Sequence, residues 1–164
     1  GSSMTDQDQN AAAEGGNPPA FGVQKIYLKD VSFESPGAPE AFLGEWKPET
    51  QVQLNTEVRP LDNDNHEVVL TITVTAKNGD KTAYLVEVKQ AGIFLVRGYA
   101  DEQKGPLLGS MAPATLFPYA REAVASLILK GGFPEMLLQP INFDALFAQH
   151  MKRAQEQAAA EASH

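Results

Sequence analysis

The chain has 164 residues, a formal net charge of −8 and no cysteine. The length fits one domain, and the lack of cysteine excludes disulfides and thiolate metal sites, so a reducing compartment is natural. The negative charge argues against a nucleic-acid-binding face, which needs a basic surface, and against attraction to anionic lipid. No run of about 18 apolar residues predicts a membrane span, and no basic-then-apolar segment predicts a signal peptide.

Composition divides the chain into three parts. Residues 1–20 hold an apparent expression scar before Met4 and then a polar segment that we predict to be disordered. Residues 21–151 carry the apolar periodicity of one folded domain. Residues 152–164 are rich in alanine, glutamine and glutamate, and we predict a fraying helix or mobile tail there.

The first two strands are predicted over residues 21–34 and 51–59. The first changes its apolar parity partway, which indicates a bulge or a strand that is covered on both faces. The connection between the two strands is long and carries Phe42, Leu43 and Trp46. Its aromatic residues either close over the core as a lid or contact a ligand, and the pattern leaves both possibilities open.

A hairpin is predicted at residues 78–80, after an alternating strand. A two-residue turn would place a glutamate on the apolar face. A three-residue turn instead sets Lys77 opposite Lys81 and Ile72 opposite Val86, which keeps that face apolar. We therefore expect the three-residue turn.

This register directs two residues of the last strand away from the apolar face. Leu85 and Glu87 then point outward beside Thr73 and Thr71, so that an exposed apolar residue lies next to an exposed carboxylate. The same strand is expected to continue through a bulge at Gly92.

The longest helix is predicted over residues 115–130, and a Gly-Gly pair ends it. Pro118 predicts a kink or a restart within this helix. Its apolar and small residues lie on more sides than one small sheet can cover, which indicates packing against another copy of the chain. Arg121 and Glu122 predict an ion pair, either buried or at an interface.

A second helix is predicted near the C-terminus. Asn142 is its expected N-cap, and Asp144 lies in its first turn. Its apolar face consists of Phe143, Leu146, Phe147, His150 and Met151.

Catalytic motifs are missing from the sequence, which has no nucleophile elbow, zinc-protease helix or phosphate loop. The three histidines, His66, His150 and His164, are more typical of surface or helix positions than of catalysis. An enzyme would have to be a small hydrolase that uses His150 and a nearby carboxylate. The acidic turn at 62–65 lacks the glycine and distal glutamate of an EF-hand loop. We predict a protein that is not an enzyme and takes no metal or cofactor.

Several apolar residues have no obvious partner within so small a fold. Such a surface implies self-association, a peptide-binding groove, or both. These residues are Phe42, Trp46, Leu85, Phe133, Met136, Leu137 and Leu138.

Five segments, in order and at matching spacing, resemble the SecB family of bacterial protein-export chaperones. They are residues 26–34, 68–76, 92–94, 116–122 and 140–147. The resemblance implies an α+β fold with a four-stranded antiparallel sheet, one long kinked helix and a C-terminal helix, assembling as a dimer of dimers. It implies a cytoplasmic, ATP-independent chaperone that holds unfolded precursor proteins in a translocation-competent state and delivers them to the SecA ATPase. A related alternative is a SecB-like chaperone that is dedicated to one partner, such as an antitoxin.

The resemblance also assigns sites. It implies a SecA contact at Asp30, Glu34, Leu85 and Glu87, and strand alternation and register independently direct these residues outward. It implies a client groove between the second helix and the loop after the first strand, at Phe42, Trp46, Met136, Leu137, Leu138, Phe143 and Phe147. It implies that the long helix supplies the contacts of a homotetramer, at Tyr119, Ala120, Arg121, Glu122, Ala123, Ser126 and Leu127.

Overall fold

The structure, a computed structural model, describes residues 18–162. The disorder predicted for the N-terminal segment therefore lies largely outside the described residues, as do the last two residues of the tail. The strands form one antiparallel sheet in the order β1-β4-β3-β2. Their bounds are Ala20–Glu34 for β1, Pro48–Pro60 for β2, Asn65–Asn78 for β3 and Lys81–Arg97 for β4. A short 3-10 turn, Glu40–Phe42, lies in the connection between β1 and β2.

The helical part follows the sheet. A continuous helical run consists of α1 (Asp101–Pro106), a π-helical turn (Leu107–Met111) and α2 (Ala112–Lys130), and the C-terminal helix is α3 (Phe143–Ala162). The helix does not restart at Pro118, because α2 runs through it. Pro118 is exposed while its neighbours Leu116 and Phe117 are buried, so packing holds the helix across the missing N–H. The irregular turn lies earlier, at the π-helical segment.

α2 ends where the sequence predicts. The amide of Gly131 donates to the carbonyl of Leu127, and that of Phe133 donates to Ile128. Gly132 has φ of +88°, a conformation that glycine adopts without steric cost. The chain then turns back toward the sheet.

One face of the sheet, the inner face, is covered by α2 and forms the core. Alternate side chains of β3 and β4 point to this face. Its buried members are Val68, Leu70, Ile72, Val74 and Ala76 of β3, and Tyr84, Val86, Val88, Phe94 and Val96 of β4. They pack against Ala112, Leu116, Ala120, Val124 and Ile128 of α2. The opposite, outer face carries the alternate polar residues.

The hairpin register differs from the predicted one by two residues. Asn78 pairs with Lys81 across a two-residue turn and Lys77 pairs with Thr82; a register shift follows between Lys77 and Ala76, so that Ile72 pairs with Val88. The predicted pairs Lys77 with Lys81 and Ile72 with Val86 are wrong, because the turn lies one residue from its predicted place and the bulge adds one residue more. Either solution keeps the same parity. The outward direction of the alternate residues is therefore confirmed.

The bulge expected at Gly92 lies on the neighbouring strand. Pairing of β3 with β4 continues unshifted through Gly92, whereas β1 shifts register between Val23 and Lys25 and again between Leu28 and Asp30. The parity change in the first strand thus reflects bulges, as one of its two interpretations predicts. Gly92 serves close packing instead, since a Cβ there would lie 3.1 Å from Cδ2 of Leu116.

α3 packs on the π-helical turn through one aromatic residue. A Cβ on Gly109 would lie 2.5 Å from Cδ2 of Phe147, so the ring fits only against glycine. The side chain of Asn142 accepts the amide of Ala145 at 3.0 Å, which confirms the predicted N-cap. The Ser110 hydroxyl donates to Asp144 in the first turn of α3. The helix continues to Ala162, with its last residues exposed, and the predicted mobility of this tail stays a prediction.

Candidate functional site

The outer face carries three carboxylates around one leucine. Glu34 of β1 lies opposite Leu85 of β4, and Asp30 lies opposite Lys89. Glu87 lies on β4 between Leu85 and Lys89, opposite Ser32. Asp30 and Glu34 are exposed, while Leu85 and Glu87 are half-buried between neighbouring strands. Within residues 18–162 none of the three carboxylates forms an ion pair. We call Asp30, Glu34, Leu85 and Glu87 the acidic patch; with Lys89 opposite Asp30 it still holds three carboxylates to one ammonium, and an excess of negative charge suits a basic partner.

A second polar group, which sequence patterns did not identify, lies further along the outer face. Glu67 is 6% exposed, and its carboxylate accepts hydrogen bonds from the Tyr27 hydroxyl and from Lys29 Nζ, the latter at 2.9 Å. Arg59 approaches the same carboxylate at 3.5 Å. Tyr27 reaches Glu67 across β4 at Ala91, whose small side chain leaves the path open. These contacts tie β1, β2 and β3 together.

The hydrogen bonds and charges of this group shift two pKa values. The hydrogen bond from Tyr27, then that from Lys29, lowers the pKa of Glu67 below its ordinary 4.5. Burial, and next the hydrogen bond to Glu67, raises the pKa of Tyr27 to about 12. The ionised carboxylate and the neutral phenol are therefore the stable pair at neutral pH.

At the hairpin end of the inner face, four aromatic rings meet around Phe133. Its ring centroid lies 4.8 Å from Tyr84, 4.9 Å from Phe42, 5.5 Å from Trp46 and 6.4 Å from Phe33. We call Phe33, Phe42, Trp46, Tyr84 and Phe133 the aromatic cluster. The Phe33 ring also lies over Gly131, where any Cβ would overlap it.

The aromatic cluster is buried at its centre and open at its edge. Phe133 is 3% exposed, whereas Phe42 is 47% exposed and the adjacent Leu43 is 82% exposed. The Tyr84 hydroxyl contacts the Met136 sulfur at 4.0 Å, so a flexible thioether also borders the cluster. Exposed apolar surface beside an ordered aromatic floor can bind apolar side chains of another chain.

The structure separates the residues predicted to bind clients. Phe42, Trp46 and Met136 come together at the aromatic cluster, and the neighbouring Leu137 is 67% exposed. Leu138 and Phe143, however, are 5% and 6% exposed and belong to the core. They offer little free surface to a client, and their client-binding role stays a prediction. The expectation that Phe133 and Leu138 lack burial within the chain is wrong. These side chains lie in or next to the segment 133–140, which holds Pro134 and Pro140 and is neither helix nor strand. Such a loop has no periodicity from which its inward-facing side chains could be predicted.

Phe147 also differs from its predicted place. It is half-buried against Gly105 and Gly109, where it joins α3 to the long helical run. The two glycines are the local signal for this contact, since they leave room for a ring. Phe147 therefore fixes the position of α3 against the π-helical turn.

The residues predicted at a subunit interface lie on different sides of α2. Ala120 is fully buried within the chain's own core, so it offers no free surface to another copy. Tyr119 and Glu122 are exposed, and Ala123, Ser126 and Leu127 are half-buried. Arg121 lies over the Phe117 ring, 5.5 Å from its centroid. In the region 18–162 it forms no ion pair with Glu122.

We also searched the described residues for catalytic or metal-binding clusters of side chains. His150 lies exposed on α3, and among the residues that the structure describes no three histidines, cysteines or carboxylates come together as a metal site would require. Over the same residues, no helix has the length and apolar character to cross a membrane.

Comparison with known proteins agrees with this arrangement. Residues 14–154 match the family model described as preprotein translocase subunit SecB. A protein-export protein SecB of Thioalkalivibrio sulfidiphilus is 56% identical over 98% of this chain and 100% of its own length. The protein of the same name from Alkalilimnicola ehrlichii is 54% identical over 93% of this chain and 82% of its own.

A solved structure has the same fold at low sequence identity. It is a SecB-like chaperone of Mycobacterium tuberculosis in complex with an antitoxin peptide, with a TM-score of 0.62 and 16% identity, covering 74% of this chain and 90% of that one. At this identity the likeness concerns the fold alone. The sheet, the long helical run and the sequence relatives agree, and the chain belongs to the SecB family of protein-export chaperones.

Proposed function

We propose that this protein binds unfolded precursor proteins in the cytoplasm, without ATP, and passes them to the SecA ATPase for export. The observation that carries the proposal is the aromatic cluster, which presents Phe42 and Leu43 at the surface above a packed floor. Unfolded clients expose the apolar side chains that such a surface binds, and folded proteins bury them. Selection of unfolded chains then needs no sequence motif.

Each client contact is weak by itself. Apolar burial contributes roughly 25 cal/mol per Å² before the cost of ordering the client is subtracted. We propose that four copies assemble as a dimer of dimers, so that one client contacts several clusters at a raised effective concentration. Exposed apolar residues support such assembly: Val23, Leu28 and Val31 on β1, and Met111, Tyr119 and Leu129 on the long helical run.

Client binding is tested by suppression of aggregation. A reduced, unfolded model protein is diluted with and without the chaperone, and light scattering is followed. We expect protection of several unrelated clients, and reduced protection from a Phe42→Ala, Leu43→Ala variant that keeps its mass by native mass spectrometry. Protection of one client alone would favour a chaperone dedicated to a single partner.

The acidic patch is the proposed docking surface for SecA. Its carboxylates lack ion-pair partners within the described chain, and two of them, Glu34 and Glu87, lie beside the half-buried Leu85. A basic partner surface would complement this charge and accelerate association.

The Glu87→Lys substitution tests this surface. Reversing the charge beside Leu85 should lower SecA affinity by at least about tenfold, since like charges at an interface cost several kcal/mol, while mass and client protection stay unchanged. Glu57→Lys, on the same face but on β2, is the matched control and should retain SecA affinity. Equal affinities of Glu87→Lys and wild type in titration calorimetry would contradict the assignment.

A further inference from the structure

The side chain of Asn78 connects the end of β3 to the loop that follows β1. Its Nδ2 donates to the carbonyl of Glu45 at 2.8 Å, and its Oδ1 accepts the amide of Lys47 at 3.0 Å. In the sheet, Asn78 lies opposite Pro48, the first residue of β2. Proline has no N–H to donate to the ladder. The Asn78 side chain therefore takes over the role of a strand backbone for the residues that precede β2.

These two hydrogen bonds flank a single residue of the aromatic cluster. Trp46 lies between Glu45 and Lys47, and its ring packs 5.5 Å from Phe133. Fixing the backbone on both sides of Trp46 leaves its ring few orientations. We propose that Asn78 is a positioning residue for client binding, which holds Trp46 in the aromatic cluster; this inference rests on the proposed client site.

The other contacts of the loop are weaker supports for Trp46. The ion pair between Glu45 and Lys47 has both side chains at least 75% exposed, so solvent screens it. The 3-10 turn at Glu40–Phe42 is held by local hydrogen bonds, and Gly44 has open space around it. A loop of this kind loses conformational entropy when a client orders it, unless it is ordered beforehand. Asn78 supplies that order in the free protein.

Trp46 is the only tryptophan of the chain, so its fluorescence reports on this position directly. In Asn78→Ala both hydrogen bonds are lost, and we expect lower Trp46 anisotropy and faster acrylamide quenching. The dissociation constant for a reduced, alkylated and permanently unfolded model protein should rise about threefold to tenfold, as loss of preorganisation predicts. Asn78→Asp keeps the acceptor for Lys47 but loses the donor for Glu45, and we expect intermediate values. Asn55→Ala removes an amide from the outer face of β2 and should match wild type.

The outcomes separate this inference from the proposed function. Normal Trp46 anisotropy in Asn78→Ala, or altered anisotropy with unchanged client affinity, would overturn the positioning role. Trp46→Ala tests the client site itself and should weaken client binding at least as much as Asn78→Ala. If Trp46→Ala binds clients normally, the aromatic cluster is not the client site, whether or not Asn78 orders the loop.

Discussion

Replacing Phe133 by alanine removes the ring around which the aromatic cluster is built. Phe133 is 3% exposed, and four rings lie within 6.4 Å of its centroid. None of the four can fill the space alone, because Phe33 and Tyr84 are held by the sheet, and Phe42 and Trp46 by the loop. We therefore expect a cavity rather than collapse.

The cost follows from this geometry. Burial of a phenylalanine, with the cavity that its loss leaves, contributes about 3–5 kcal/mol. Each aromatic pair contributes about 0.5–1.5 kcal/mol beyond burial, but these values overlap with the first and do not add in full. We expect a loss near 4 kcal/mol, against a total stability of about 5–15 kcal/mol for a typical domain.

The measurement is urea unfolding followed by far-ultraviolet circular dichroism and by Trp46 fluorescence. Protein concentration is held constant, because unfolding and dissociation of an oligomer are linked. Phe133→Ala should lower the free energy of unfolding and shift Trp46 emission to longer wavelength, since the indole loses its ring neighbour. Leu137→Ala, four residues away and 67% exposed, should change stability by less than about 0.5 kcal/mol. A loss below about 1 kcal/mol in Phe133→Ala, with unchanged emission, would refute the central role of this ring.

Two further predictions concern the packing of α3 and the polar group on the outer face. Gly109→Ala places a Cβ 2.5 Å from Phe147, so despite its better helix propensity we expect a net loss of about 1–3 kcal/mol and faster proteolysis before α3. In a Phe147→Ala background, which has already lost this contact, Gly109→Ala should cause no further loss of stability; an equal loss in both backgrounds would contradict the clash. Glu67 has a lowered pKa in the folded state. Its contribution to the free energy of unfolding is therefore present above pH 4.5 and is lost as the pH falls through the folded-state pKa. Glu67→Gln should therefore be less stable than wild type by about 1–3 kcal/mol at pH 7 and should approach wild type in acid; a difference independent of pH would argue against an ionised Glu67.

Strand alternation was enough to predict the direction of the acidic patch. A side-chain period of two depends only on parity, and the observed pairs differ from the predicted ones by two residues, one from the place of the turn and one from the bulge, so parity is preserved. Two helix ends were also predictable, because the cap of Asn142 and the glycine stop after Lys130 are local features, whereas the long helical run begins at Asp101 and not at the predicted residue 115. Such features can be predicted because the residues that form them are close together in the sequence.

Contacts between distant segments were not predictable in this way. The sequence places Glu67 on the polar face of β3, yet it is buried, because Tyr27 and Lys29 reach it from β1, about 40 residues away. Ala120 illustrates the same limit. Its small size suggested contact with another copy, but the structure uses it for close packing of α2 on the chain's own sheet.

The two proposed sites lie back to back on the same pair of strands. In β1, Phe33 belongs to the aromatic cluster and the next residue, Glu34, belongs to the acidic patch; in β4, Tyr84 and Leu85 divide in the same way. Because successive side chains of a strand point to opposite faces, a client on one face leaves the other free for a partner. The two proposed sites could therefore be occupied at the same time, which the proposed transfer of a client to SecA requires. The two sites also depend on the same register. Any change that shifts β1 by one residue would exchange its two faces and disrupt both sites at once.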